Sequence, residues 1–151
     1  MDLESLYQEI ILDHYRNPHH AGLREPFDAE VHQSFPPTED EVTLRVTLSD
    51  ADGEPVLADV SYQAFGCSIH RASVSIMTDL IIGKTVREAT AISDAFRNLI
   101  LSRGAAEPDE DVLEEAVVFA GVSRYPARVK CVLLGWMAWK DATTLALSRL
   151  D

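Results

Sequence analysis

Leu3, Leu6, Tyr7, Ile10, Ile11 and His14 recur at the three- and four-residue intervals of a helix face. Asn17-Pro18 stops that run, because proline lacks a donor and disfavours helix before it. The pattern predicts an amphipathic N-terminal helix. HHAGLREPFDAEVHQSFPPTED holds three prolines and no sustained period, so it reads as a connecting segment with a short edge strand near Val31. Alternation then sets in: Val42, Leu44, Val46 and Leu48 face one way, Asp52-Gly53 turns the chain, and Val56, Ala58, Val60 and Tyr62 alternate back. An antiparallel hairpin with one buried face is expected.

Past the hairpin the period becomes helical at Ile69, Ala72, Ser73, Ile76, Met77 and Leu80, with Gly66 allowing a tight corner before this helix and Gly83 closing it. Thr85 and Glu88 have capping-box spacing and open a helix through Ala89, Ile92 and Phe96 towards Leu101. SRGAAEPDED reads as a loop, DVLEEAVVFAGV as a short helix interrupted by SRYP, and ARVKCVLLGWMAWKDATTLALSRL as a long final helix with Cys131 in its first or second turn. Strands first and helices after predict an α+β fold: an antiparallel three-stranded sheet with helices packed on one face. A length of 151 residues suits a single domain, 1–151, with a real core.

Charge narrows the partners. Acidic residues outnumber basic ones by 25 to 13, which argues against nucleic acid and anionic membranes. The start, MDLESLYQEIILDHYRNP, is acidic where a secretory signal is basic, and no apolar run approaches the roughly 18 residues of a membrane span. A cytoplasmic protein is expected, with two cysteines that staple nothing. It is expected to be a monomer or weak dimer.

Cys67 and His70 stand three apart where a helix begins, so thiol and imidazole share one face beside backbone N–H groups that favour a sulfur anion. Such C-x-x-H spacing arises often by chance, and a buried Cys beside a solvated His would show it equally well. On this stretch alone the buried thiol and solvated imidazole are the favoured reading.

SFPPTEDEVTLRV, QAFGCSIHRASVSIMTDLIIGKTVREA and SRYPARVKCVLLGWMAWKDA together resemble the SufU branch of the U-type iron–sulfur cluster assembly proteins, relatives of IscU and the NifU N-terminal domain. The resemblance extends to the N-terminal LYQEIILDHYRNPHHAG, and SRGAAEPDEDVLEE looks like the insertion that sets SufU apart from IscU. It implies an IscU/SufU-like fold and a site in which three cysteines and an aspartate surround zinc or a nascent cluster. Two of the cysteines match Cys67 and Cys131, and the aspartate matches Asp40. Thr38 stands where the loop thiol would be, Glu39 replaces the family glycine, and His70 replaces a serine.

A thiol is thus lost from one wall and an imidazole gained on another, leaving Asp40, Cys67, His70 and Cys131 as a tetrahedral ligand set for zinc, with iron or an iron–sulfur cluster as the other cargo. His32 is a weaker fourth ligand, and His14, His19 and His20 are expected to meet the carbonyls ending the first helix. The resemblance puts Arg128 beside the metal, while Trp136 and Trp139 read as core or partner contacts. It further implies a scaffold or zinc-dependent sulfur acceptor for a SufS-like cysteine desulfurase, rather than a conventional enzyme. Only Cys67 and Cys131 could accept sulfur. A closed four-ligand site would instead mark a non-catalytic zinc-binding homologue that docks or regulates a partner.

Overall fold

The computed structural model describes residues 2–150. Helix α1 (Leu3–Arg16) opens on Asp2, whose carboxylate accepts the Ser5 N–H at 2.8 Å. Strands β1 (Ala29–Phe35), β2 (Asp40–Ala51) and β3 (Glu54–Phe65) follow and pair antiparallel in the order β1-β2-β3. Asp52 and Gly53 both take positive φ, 54° and 84°, as a two-residue hairpin with matching twist requires. The expected edge strand near Val31 is thus a full member of a three-stranded meander.

Even-numbered β2 residues Val42, Leu44 and Val46 are fully buried against the helices. The returning strand keeps alternation less strictly than the sequence predicts. Register shifts between Thr47 and Leu48, which pair with Asp59 and Leu57, so Ala58 is an extra residue on β3. Leu57 therefore enters the core and Ala58 faces solvent, the reverse of the expected pattern, before Val60 and Tyr62 resume it. The chain before β1 covers the free edge of β3: Gly22 N–H donates to the Tyr62 carbonyl at 2.8 Å, and Arg24 grips Asp59 through two bonds of 2.9 and 2.7 Å.

Helices α2 (Ser68–Ile81), α3 (Val86–Leu101), α4 (Glu110–Leu113) and α5 (Pro126–Ser148) complete the chain, with a 3₁₀ segment over Glu114–Arg124. The Thr85/Glu88 capping box forms at the start of α3. The helix expected over DVLEEAVVFAGV is a single α turn followed by 3₁₀ winding, because Glu114 sits at φ 46° and interrupts α geometry. At three residues per turn Ala116, Phe119 and Val122 line up, and all three are buried. Among the described residues no helix is long and apolar enough to cross a membrane.

Candidate metal centre

Asp40 opens β2 on the face that carries Val42 and Leu44, so its side chain points inward and is 2 % exposed. The β1–β2 turn presets it. Thr38 Oγ1 donates to the Phe35 carbonyl at 3.1 Å and accepts the Asp40 N–H at 3.1 Å. The residue replacing the expected thiol thus spends its hydroxyl on the turn.

Gly66 brings the second candidate ligand into place. Its φ of 123° lets the corner after β3 press against Asp40, where an added Cβ would stand 2.0 Å from Asp40 Oδ1 and 2.7 Å from its Cα. Through that gap the Cys67 N–H reaches Asp40 Oδ1 at 2.8 Å, with Cys67 Sγ 3.7 Å from Oδ2. Cys67 is also the N-cap of α2, its sulfur accepting the His70 N–H at 3.5 Å.

Cys131 comes from the second turn of α5, which is fixed to α2 by a buried relay. Trp136 Nε1 donates to Ser73 Oγ at 3.0 Å, and Ser73 Oγ donates to the Val132 carbonyl at 2.7 Å. Gly135 lets the helices close, since a Cβ there would lie 2.5 Å from Val74 Cγ2. Trp136, given no chemistry from sequence, is therefore part of what places Cys131.

One donor atom each from Asp40, Cys67 and Cys131 lies within 4.8 Å of the other two. They line a cavity of about 670 Å³ with Thr38, Phe65 and Arg128. Cys67 is exposed at its mouth and Cys131 is buried beneath. Burial, followed by the hydrogen bond to Asp40, pushes the Cys131 thiol up to about 12. Burial also works to raise Asp40, but the Cys131 thiol, the Cys67 N–H, the nearby His70 and Thr38 together hold its carboxyl below the ordinary value. Three acidic groups this close cannot all ionise without a cation among them, and two thiols with a carboxylate are donors that zinc accepts.

His70 stands apart from this set. It is fully buried, with Nε2 3.0 Å from the Glu41 carbonyl and Nδ1 without a hydrogen-bond partner. Its ring is drawn to the β2 backbone by that bond, one turn along α2 from Cys67. His32 lies on the opposite face of the sheet, where it meets Thr43 at 2.9 Å. His14, His19 and His20 do not reach back to the α1 carbonyls as expected: the chain turns at His19 and His20, where His20 takes φ 60°, and their rings meet Glu115, Ser75 and Asp79.

The sequence profile of the NifU-like N terminal domain matches residues 6–132. The iron–sulfur cluster assembly scaffold protein IscU of Streptococcus pyogenes serotype M1 is 36% identical over 140 residues, covering 93% of this chain and 84% of that protein. The zinc-dependent sulfurtransferase SufU of Bacillus subtilis (strain 168) is 34% identical over 137 residues, or 91% and 88% of the two chains. The crystal structure of a nitrogen-fixing NifU-like protein (N-terminal) from Brucella abortus superposes with a TM-score of 0.79 at 25% identity, covering 97% of each chain.

Proposed function

Because this chain belongs to the NifU-like N-terminal domain family, we propose that it serves iron–sulfur cluster assembly, as a scaffold or zinc-dependent sulfur acceptor for a cysteine desulfurase in the cytoplasm. The carrying observation is the convergence of Asp40, Cys67 and Cys131 at an open cavity rather than a closed cage. Those three residues hold the ion, and His70 supports the site through its backbone N–H, which donates to Cys67 Sγ. A bound zinc would supply a Lewis acid with an exchangeable position, as three-ligand zinc sites do. Iron or a nascent cluster is cargo for the same sulfurs. The open position favours the sulfur-handling reading over a purely structural zinc, and two unpaired thiols suit a reducing compartment.

Cys67 is the acceptor, because it alone of the two thiols is exposed. The terminal sulfur of a donor persulfide bonds to Cys67 Sγ as its bond to the donor sulfur breaks. The donor leaves as a thiolate with that electron pair, so no oxidant is consumed. Arg128 lines the same cavity and offers a cation to the anionic sulfurs.

Incubating the chain with a cysteine desulfurase and cysteine should add one sulfur mass to Cys67 and speed alanine release. Cys67→Ser should remove both effects, and a wild-type chain that shows neither would end this reading. His70→Ala tests the ligand set. Loss of a fully buried ring should cost about 2–4 kcal/mol of stability. Zinc stoichiometry measured on the folded variant should stay unchanged, whereas loss of the metal would make His70 a ligand.

A further inference from the structure

A second group of ligating side chains gathers where the end of α1, the segment after it, α2 and the 3₁₀ segment meet. His14 is 3 % exposed, with Nδ1 2.7 Å from Ser75 Oγ and Nε2 against the Glu115 carboxylate. The His19 N–H donates to the same Ser75 oxygen at 2.8 Å, and His19 Nδ1 lies 2.5 Å from Asp79 Oδ2. His20 Nε2 is 3.3 Å from Asp79 Oδ1. The His14 and His19 rings are 4.5 Å apart, and donor atoms of His14, His19 and Asp79 all lie within 4.8 Å of one another.

We propose that His14, His19 and Asp79, with Glu115 as a further oxygen donor, form a second divalent-cation site of imidazole and carboxylate character, separate from the thiol centre and clamping α1 to α2. Donor atoms around a tetrahedral ion with bonds of about 2.1 Å stand about 3.4 Å apart, so no pair within the 4.8 Å limit need close by more than about 1.4 Å, while the His19–Asp79 and His14–Glu115 pairs open to admit the ion. His19 and Asp79 are partly exposed and free to make that movement. Two neutral imidazoles and two carboxylates balance a dipositive ion and suit zinc or another first-row divalent metal. Ser75 serves as the outer partner: when His14 Nδ1–H donates to it, the Nε2 lone pair faces Glu115, an arrangement of two acceptors that a cation between them satisfies. The opening beside Asp79, about 230 Å³, is also lined by Glu114 and Glu115 and gives an ion a negatively charged approach.

Cobalt(II) and zinc titrations of the untagged, metal-stripped full chain test this without reference to sulfur transfer. Wild type should bind two equivalents, one with a thiolate-to-cobalt charge-transfer band and one without. The Cys67→Ser/Cys131→Ser variant should keep one equivalent lacking that band and should gain thermal stability from zinc. Adding His19→Ala and Asp79→Asn, both at partly exposed positions, should remove the remaining equivalent and the stabilisation while circular dichroism stays native. A natively folded Cys67→Ser/Cys131→Ser variant that binds no metal would overturn the second site, as would retention of that equivalent after the His19 and Asp79 changes. Loss of the charge-transfer site alone would count against the thiol centre and leave this one standing.

Discussion

Gly66→Ala is expected to lower stability by about 2–5 kcal/mol and to abolish metal binding at the thiol centre, the sum of a left-handed backbone strain and an overpacked contact. The contact falls on backbone as well as side chain: the new Cβ would lie 2.7 Å from Asp40 Cα, which no rotamer change relieves, and 2.0 Å from Asp40 Oδ1. Separating the two strands of the corner would also break the Cys67 N–H bond to Asp40, so two proposed ligands lose their relative position at once. Denaturant unfolding with a zinc-binding titration checks both effects. Alanine at Gly22, where nothing lies within 4 Å, provides the comparison: it carries the positive φ of 101° without the collision. If both variants bound zinc equally well, the close approach at residue 66 would have no part in building the site.

Thr38→Cys is expected to tighten zinc by at least tenfold, about 1.4 kcal/mol, and to raise sulfur acceptance from a desulfurase. Thr38 lines the metal cavity two residues before Asp40, so a sulfur there would face the same space as Cys67 and Cys131. A thiol is a weaker partner than the hydroxyl that now bonds the Phe35 carbonyl and the Asp40 N–H, so some loss of turn stability should accompany the gain. Competition with a chelator measures the first effect, and the sulfur mass at position 38 the second. Unchanged affinity in a folded variant would show that side chains at this position do not reach the ion.

Much of the fold was legible because its signals are local. Alternation in β2, the Asp52-Gly53 turn and the Thr85/Glu88 capping box each depend on neighbours a few residues apart, and each forms as read. The bulge that turns Leu57 inward in place of Ala58 left no such mark, since it answers to the pairing of two strands. The 3₁₀ winding after Glu114 was equally hidden, because a non-glycine residue at positive φ is a tertiary outcome rather than a propensity.

The same division runs through the site. Motif resemblance picked out Asp40, Cys67 and Cys131, and the fold brings their donor atoms within 4.8 Å. The types of the candidate ligands are written in the sequence, which a single chain displays openly. Where His70 points is not, because one helical turn brings its ring near Cys67 while a bond to the Glu41 carbonyl holds it on the sheet. The meeting of His14 and His19 with Asp79 and Glu115 lies further still from sequence reading, spanning contacts 60 and 101 residues apart. Periodicity and capping are short-range forces that each segment carries with it, whereas ring orientation and long-range ligand clusters exist only once separate helices have packed.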